Sequence, residues 1–302
     1  MPLAYTGELA ALLTSLLFSI GPTYFTLAGR LVGSAIVNRV RLLLAVLFLA
    51  ATHWIVYGQP FPLSAAPESW FWLGISGLIG LALGDAALFQ AFVVLGARLT
   101  MLIFSLSPVI SAGVAWLFLG ETLSAVQILG IAVTLGGILM VVLERGNHST
   151  GPRDKRQYLI GLLLALLGAI GQALGLITAK KGLGASTPAL SGQVIRMAAG
   201  AAAIWLIPLL RGKVATTAQS LRERPRAFRY ILIATLVGPF AGVFFSLVAV
   251  QFAPVGIAST LMSLPPIFLL PISYFVFKER FGWQVILGTI VALLGVGILF
   301  LA

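Results

Sequence analysis

Apolar residues fill this chain in long blocks rather than in alternation or in a narrow helical stripe. Ten blocks stand out, at roughly 5–27, 34–57, 70–93, 97–119, 124–143, 157–179, 188–210, 229–251, 254–277 and 282–301. A helix that crosses a bilayer needs about 20 mostly apolar residues. In lipid the backbone must pair within its own segment, and the blocks lack the alternation of barrel strands, so each predicts a helix. The pattern predicts an all-α integral membrane protein with ten transmembrane helices. Most connections are short. Two are longer and polar, 144–157 and 211–229, and the first divides the chain almost in half.

The halves resemble each other. Gly80-x-x-x-Gly84 in the third block recurs as Gly238-x-x-x-Gly242 in the eighth, 158 positions on. The same offset relates Pro108 to Pro266, Glu121 to Glu279, Ile128-Leu129-Gly130 to Ile286-Leu287-Gly288, and Gly137 to Gly295. Nearer the start of each half the offset is smaller. Ile20-Gly21 matches Ile170-Gly171, and Asn38-x-x-Arg41 matches Gln193-x-x-Arg196. One offset held from 80 to 137 marks a duplication. The repeats are 1–146 and 147–302. Each holds five spans, an odd number, so the two insert with opposite orientation. That predicts two inverted five-helix repeats about a pseudo-two-fold axis in the membrane plane, an arrangement secondary transporters use.

Charge fixes the sidedness. Only 9% of residues are charged, against roughly a quarter in soluble domains. Sixteen of the nineteen Lys and Arg lie in or beside odd-numbered connections, and Lys180, Lys181 and Arg196 lie at the sixth. Cationic loops are retained in the cytoplasm, so both termini are predicted outside, in a cytoplasmic (inner) membrane. The net charge of +11 sits in these loops and suits anionic lipid rather than nucleic acid. The run 222–229 is expected on the cytoplasmic lipid surface. The N-terminal stretch lacks the basic n-region of a cleaved leader. With no cysteine and two histidines, His53 and His148, disulfides, thiolate metal sites and a histidine metal cluster are excluded. Phosphate-loop, zincin and nucleophile-elbow motifs are absent, so no catalytic residue, metal or cofactor is expected.

The candidate chemistry is a set of polar residues inside apolar blocks. Asp85 lies past the middle of the third, where a carboxylate costs at least ~2.5–3.5 kcal/mol on insertion scales. It predicts a cavity-lining group that binds a substrate amine or takes up a proton, or else an acid that ties its helix to a neighbour. Its counterpart is Val243. Gln90, Tyr24, Ser105, Gln172, Ser246 and Ser263 would continue a polar path, although single hydroxyls more often bond to their own helix. Arg41 and Arg196, at matching positions in inverted halves, are expected in opposite leaflets, as snorkelling side chains or as charged entrances for an anionic group. Lys180 has the same two readings. Pro108 and Pro266 are hinge candidates, since an interior proline removes a hydrogen bond and kinks the helix. The glycine rows predict close helix packing within a monomer rather than a dimer seam. Glu121 and Glu279 are expected to hold turns at the water boundary.

The spacing of Pro108 and Glu121, repeated in Pro266 and Glu279, each pair followed by Ile-Leu-Gly and a glycine-bearing final helix, resembles the EamA-type module. Two such modules in ten spans resemble the drug/metabolite transporter superfamily. The resemblance covers nearly the whole chain. It implies a ten-helix carrier whose central cavity is lined by the first, third, fourth, sixth, eighth and ninth spans, with the fifth and tenth peripheral. Family members move amino acids, other metabolites, nucleotide sugars or triose phosphates, and much of the bacterial branch exports amino acids and related compounds. The expected function is therefore alternating-access export of a small polar metabolite, with proton coupling through Asp85 as an option. Sugar-phosphate or nucleotide-sugar exchange, and lipid flipping, are the alternatives.

Overall fold

The computed structural model describes residues 5–107, 109–111, 113–114, 124–143, 155–183, 187–252, 261–262 and 264–301. Every regular element among them is a helix. The first half supplies α1 (Thr6–Val32), α2 (Ser34–Tyr57), α3 (Pro67–Leu95), α4 (Ala97–Phe104) and α5 (Ala125–Leu143). The second supplies α6 (Lys155–Leu183), α7 (Ala189–Leu210), α8 (Val214–Glu223), α9 (225–252), α10 (Pro265–Phe277) and α11 (Trp283–Leu301). Five of these, α1, α2, α3, α6 and α7, are long and apolar enough to cross a membrane, at 22 to 29 residues each. The shorter α5, α10 and α11 are apolar as well. The protein is an integral membrane protein with several spanning helices.

Single glycines join some of the helices. Gly33 and Gly96 take φ of 84° and 89°, a region that side-chain-bearing residues avoid. Each ends one helix and lets the next begin at the following residue. The 211–229 connection is not a plain loop. Residues 214–223 form α8, and Pro225 starts α9 at a first-turn position where its missing N–H costs nothing. The same chemistry corrects the reading of Pro266 as a kink inside a helix. Pro265 and Pro266 open α10, where the first amides have no intrahelical acceptor to lose. Pro271 is the proline within α10. Pro108 and Ser263 lie outside the described residues.

Two helices change pitch in mid-course. α3 is π-helical over Gly77–Gly84, and α9 over Leu236–Gly242. The Asp85 N–H donates to the carbonyl of Gly80, five residues back. These segments carry the repeated Gly-x-x-x-Gly pair, and glycine there permits backbone contact. A Cβ on Gly171 of α6 would stand 2.6 Å from the Gly84 Cα, and one on Gly175 would stand 3.0 Å from the Gly80 Cα. In the other half, a Cβ on Gly21 of α1 would lie 3.6 Å from the Gly238 Cα.

Packing follows these contacts. α3 runs along α6, and α1 along α9. α2 packs on α7, α4 on α6, α10 on α1, and α5 on α11. In the last pair a Cβ on Gly137 would come within 2.6 Å of the Gly288 carbonyl. Lipid is as apolar as leucine, so close backbone fit rather than burial of hydrocarbon drives such association. Large apolar side chains such as Leu47, Ile55, Phe71 and Leu294 face outward, where lipid solvates them.

Candidate functional site

Arg41 is the eighth residue of α2, and Arg196 the eighth of α7. Seven steps of about 1.5 Å carry each roughly 10 Å along its helix. The structure brings both arginines to α3, which packs against α2 and α7. Neither is a headgroup-seeking residue, since both are more than nine-tenths buried. Their guanidiniums converge on α3 from different levels, Arg41 at Asp85 and Arg196 beside Gly80, with the Arg196 backbone against Gly77.

The Arg41 Nη2 donates to the Asp85 Oδ2 at 2.5 Å and to the Asn38 Oδ1 at 3.0 Å. Its guanidinium stacks over the Phe89 ring, 4.9 Å from the centroid. Asn38 in turn donates from Nδ2 to the Leu81 carbonyl at 3.5 Å, inside the π-helical stretch. The side chains of the ion pair are only 6% and 10% exposed. Arg196 approaches from the other half. Its Nη1 donates to the Gln193 Oε1 at 3.3 Å. Its Nη2 lies 3.7 Å from where a Cβ on Gly80 would stand. It lies near enough to interact with the Asp85 charge. The Nε atoms of Arg41 and Arg196 have no hydrogen-bond partner among the described residues. Among the described residues, two guanidiniums and one carboxylate leave this buried cluster one positive charge in excess.

Among the described residues, no hydrogen bond ties the other path candidates to it. Gln90 is exposed and accepts from the Ser34 hydroxyl at 2.5 Å. Tyr24 stacks at a tilt on Tyr230 of α9, 5.6 Å between ring centres. Ser105 and Ser246 turn back on their own chain, donating to the Leu102 and Val243 carbonyls at 2.6 and 2.7 Å. Gln172 is half-buried on α6. The Lys180 side chain lies outside the described residues, and Lys181 sits over the Trp72 ring at 3.8 Å.

Sequence reasoning used Asn38 and Gln193 only as markers of the repeat. Their signal was present, because a polar residue three before an arginine shares its helix face. It also passed over His53, which is fully buried at the end of α2. There Nδ1 lies 2.5 Å from the Gln59 carbonyl and Nε2 lies 3.0 Å from the Ser191 hydroxyl. A carbonyl only accepts, so in the neutral ring Nδ1 carries the proton and Ser191 donates to Nε2. The Ser76 hydroxyl likewise ties α3 to α6 by donating to the Gly175 carbonyl at 2.5 Å.

A second ion pair links the halves near the helix ends. The Arg98 Nε lies 3.2 Å from the Glu279 Oε2, with Phe281 5.3 Å from the guanidinium. Glu279 therefore joins the segment after α10 to the start of α4. Arg30 at the end of α1 stacks over Phe277 at 5.0 Å. No group of metal-ligating side chains occurs among the described residues.

A family model described as the EamA-like transporter family matches this chain twice, over residues 5–143 and 159–301. No curated protein matches it. Several solved structures are similar to this chain; one, a protein crystal structure, matches over 97% of this chain and 94% of its own, at 15% identity and a TM-score of 0.55.

Proposed function

The chain belongs to the EamA-like transporter family, within the drug/metabolite transporter superfamily, and we propose that it is a secondary transporter exporting a small polar metabolite, an amino acid or related compound, by alternating access. The observation that carries this reading is the Asp85 cluster. A charged group is retained deep in an apolar bundle, at the place where helices from both halves meet. Membrane proteins place charge at such depth along solute pathways.

On this reading ten spans form two inverted five-helix repeats, 1–146 and 147–302, in the cytoplasmic membrane with both termini outside. Three features support the inversion. The packing pairs exchange under the repeat, α1 on α9 matching α6 on α3, and α10 on α1 matching α4 on α6. The π-helical segments fall at matching positions. The Gly21–Gly238 contact has its counterpart in Gly171–Gly80. The carrier works as a monomer and needs no cofactor. Proton coupling through Asp85 would require the Arg41 pair to part during the cycle.

The test is uptake and efflux by reconstituted protein against amino acids, organic cations and phosphate esters. Selective, saturable movement of an amino acid or its relative is the expected result, and movement of none of them would refute the proposal. The presence of two buried arginines keeps a second reading open to test, exchange of a phosphate-bearing sugar, which the phosphate esters in the same assay decide.

A further inference from the structure

The cluster on α3 holds two related arginines and one acid. Asp85 is engaged by Arg41 at 2.5 Å. Arg196 has only a 3.3 Å bond to Gln193, and its Nε is unpartnered among the described residues although the side chain is nine-tenths buried. Its Nη2 end packs at Gly80, 3.7 Å from where a Cβ would stand, where the backbone of Gly171 and Gly175 of α6 also closes in. We infer that Arg196 is the docking point for a single carboxylate on the transported solute. This rests on the carrier reading above and names its substrate class.

Charge and geometry both lead there. A guanidinium offers parallel N–H donors that match the two oxygens of a carboxylate, and the free Nε belongs to such an edge. The cluster carries one unbalanced positive charge, so one negative charge neutralises it. A phosphate dianion would instead overshoot and leave a buried negative charge. Asp85 is already bound to Arg41, so it is not the acceptor of the solute's amine, and an amine without a carboxylate has no partner in this cluster. The two symmetry-related positions thus differ in task. Arg41 with Asp85 forms a neutral internal pair, and Arg196 waits for the solute to complete the equivalent pair.

The experiment is counterflow in proteoliposomes holding the full chain. The probes are the twenty free amino acids, their carboxamides, the matching decarboxylated amines and glycerol 3-phosphate. We expect at least one free acid to be carried, with its carboxamide and amine at least tenfold poorer. Arg196→Gln should lower transport of that acid at least tenfold and erase its advantage over the carboxamide, and Arg196→Lys should keep part of the advantage. The inference is overturned if wild-type protein carries carboxamide or amine as well as acid, if it prefers glycerol 3-phosphate, or if the acid preference survives in Arg196→Gln. Transport that ignores the carboxylate removes this subsite and leaves the carrier reading standing. Wild-type protein that carries no probe removes both. The wild-type ratio of acid to carboxamide decides the question even if a variant fails to fold.

Discussion

Replacing Asp85 by asparagine keeps the shape of the side chain and removes its charge. The Arg41 and Arg196 guanidiniums are then left without a carboxylate in the cluster among the described residues, and its charge rises from one to two. The pair is almost dry, at 6% and 10% side-chain exposure. Breaking a buried pair by removing one partner costs about 3–5 kcal/mol, mostly because the remaining charge is left uncompensated. At roughly 2–4 °C per kcal/mol for chains of this order of length, the melting temperature should fall by roughly 6–20 °C. Arg41→Gln should cost less, because it leaves one guanidinium and one carboxylate in the cluster and no net charge. Adding Arg41→Gln to Asp85→Asn should restore part of the loss. The assay is fluorescence-detected size-exclusion melting of detergent-solubilised protein. If Asp85→Asn melts within about 2 °C of wild type, the ion pair is not a buried anchor and the reasoning fails.

Gly171→Leu should prevent recovery of monodisperse protein, since its Cβ would stand 2.6 Å from the Gly84 Cα and overpacking against backbone costs at least ~1–3 kcal/mol. Gly74→Ala, with nothing within 4 Å of the new methyl, should behave as wild type in the same chromatography. The Arg98–Glu279 pair is partly exposed, at 18% and 29%, so a double-mutant cycle with Arg98→Gln and Glu279→Gln should give a coupling of about 1 kcal/mol or less. That coupling should shrink in high salt, and one insensitive to salt would contradict the assigned exposure. A reporter active only in the cytoplasm should be silent when fused after Ala302, and a working fusion would overturn the predicted sidedness.

Much of the bundle was legible because lipid imposes simple demands. The α2 block was read as 34–57, and the helix runs from Ser34 to Tyr57, because glycines with positive φ bound it at 33 and 58. Asp85 was conspicuous as a carboxylate in an apolar block. Its partner was hidden, because the pairing joins different spans and no spacing along the chain records that. The convergence of Arg196 was hidden for the same reason. The repeated glycines announced close packing, and Gly80, Gly84 and Gly171 provide it, but hydrophobic pattern carries no trace of a change in hydrogen-bond offset. α8 was missed because a polar ten-residue helix looks like loop by composition. Pro266 was misread because a continuous apolar block conceals where a helix begins.

The π-helical stretch of α3 sets the compass bearing of Asp85. A π turn accommodates one more residue than an α turn, and each residue swings whatever follows by about 100° around the axis. With uninterrupted α pitch the carboxylate would point to another quadrant of the bundle and miss Arg41. Regularising 77–84 to α pitch at unchanged length would therefore swing the acid away from Arg41, whereas deleting one residue there removes the one that the π turn absorbs and restores the bearing. In this protein the irregular turn serves as an aiming device, and regularising the backbone would cost it the ion pair.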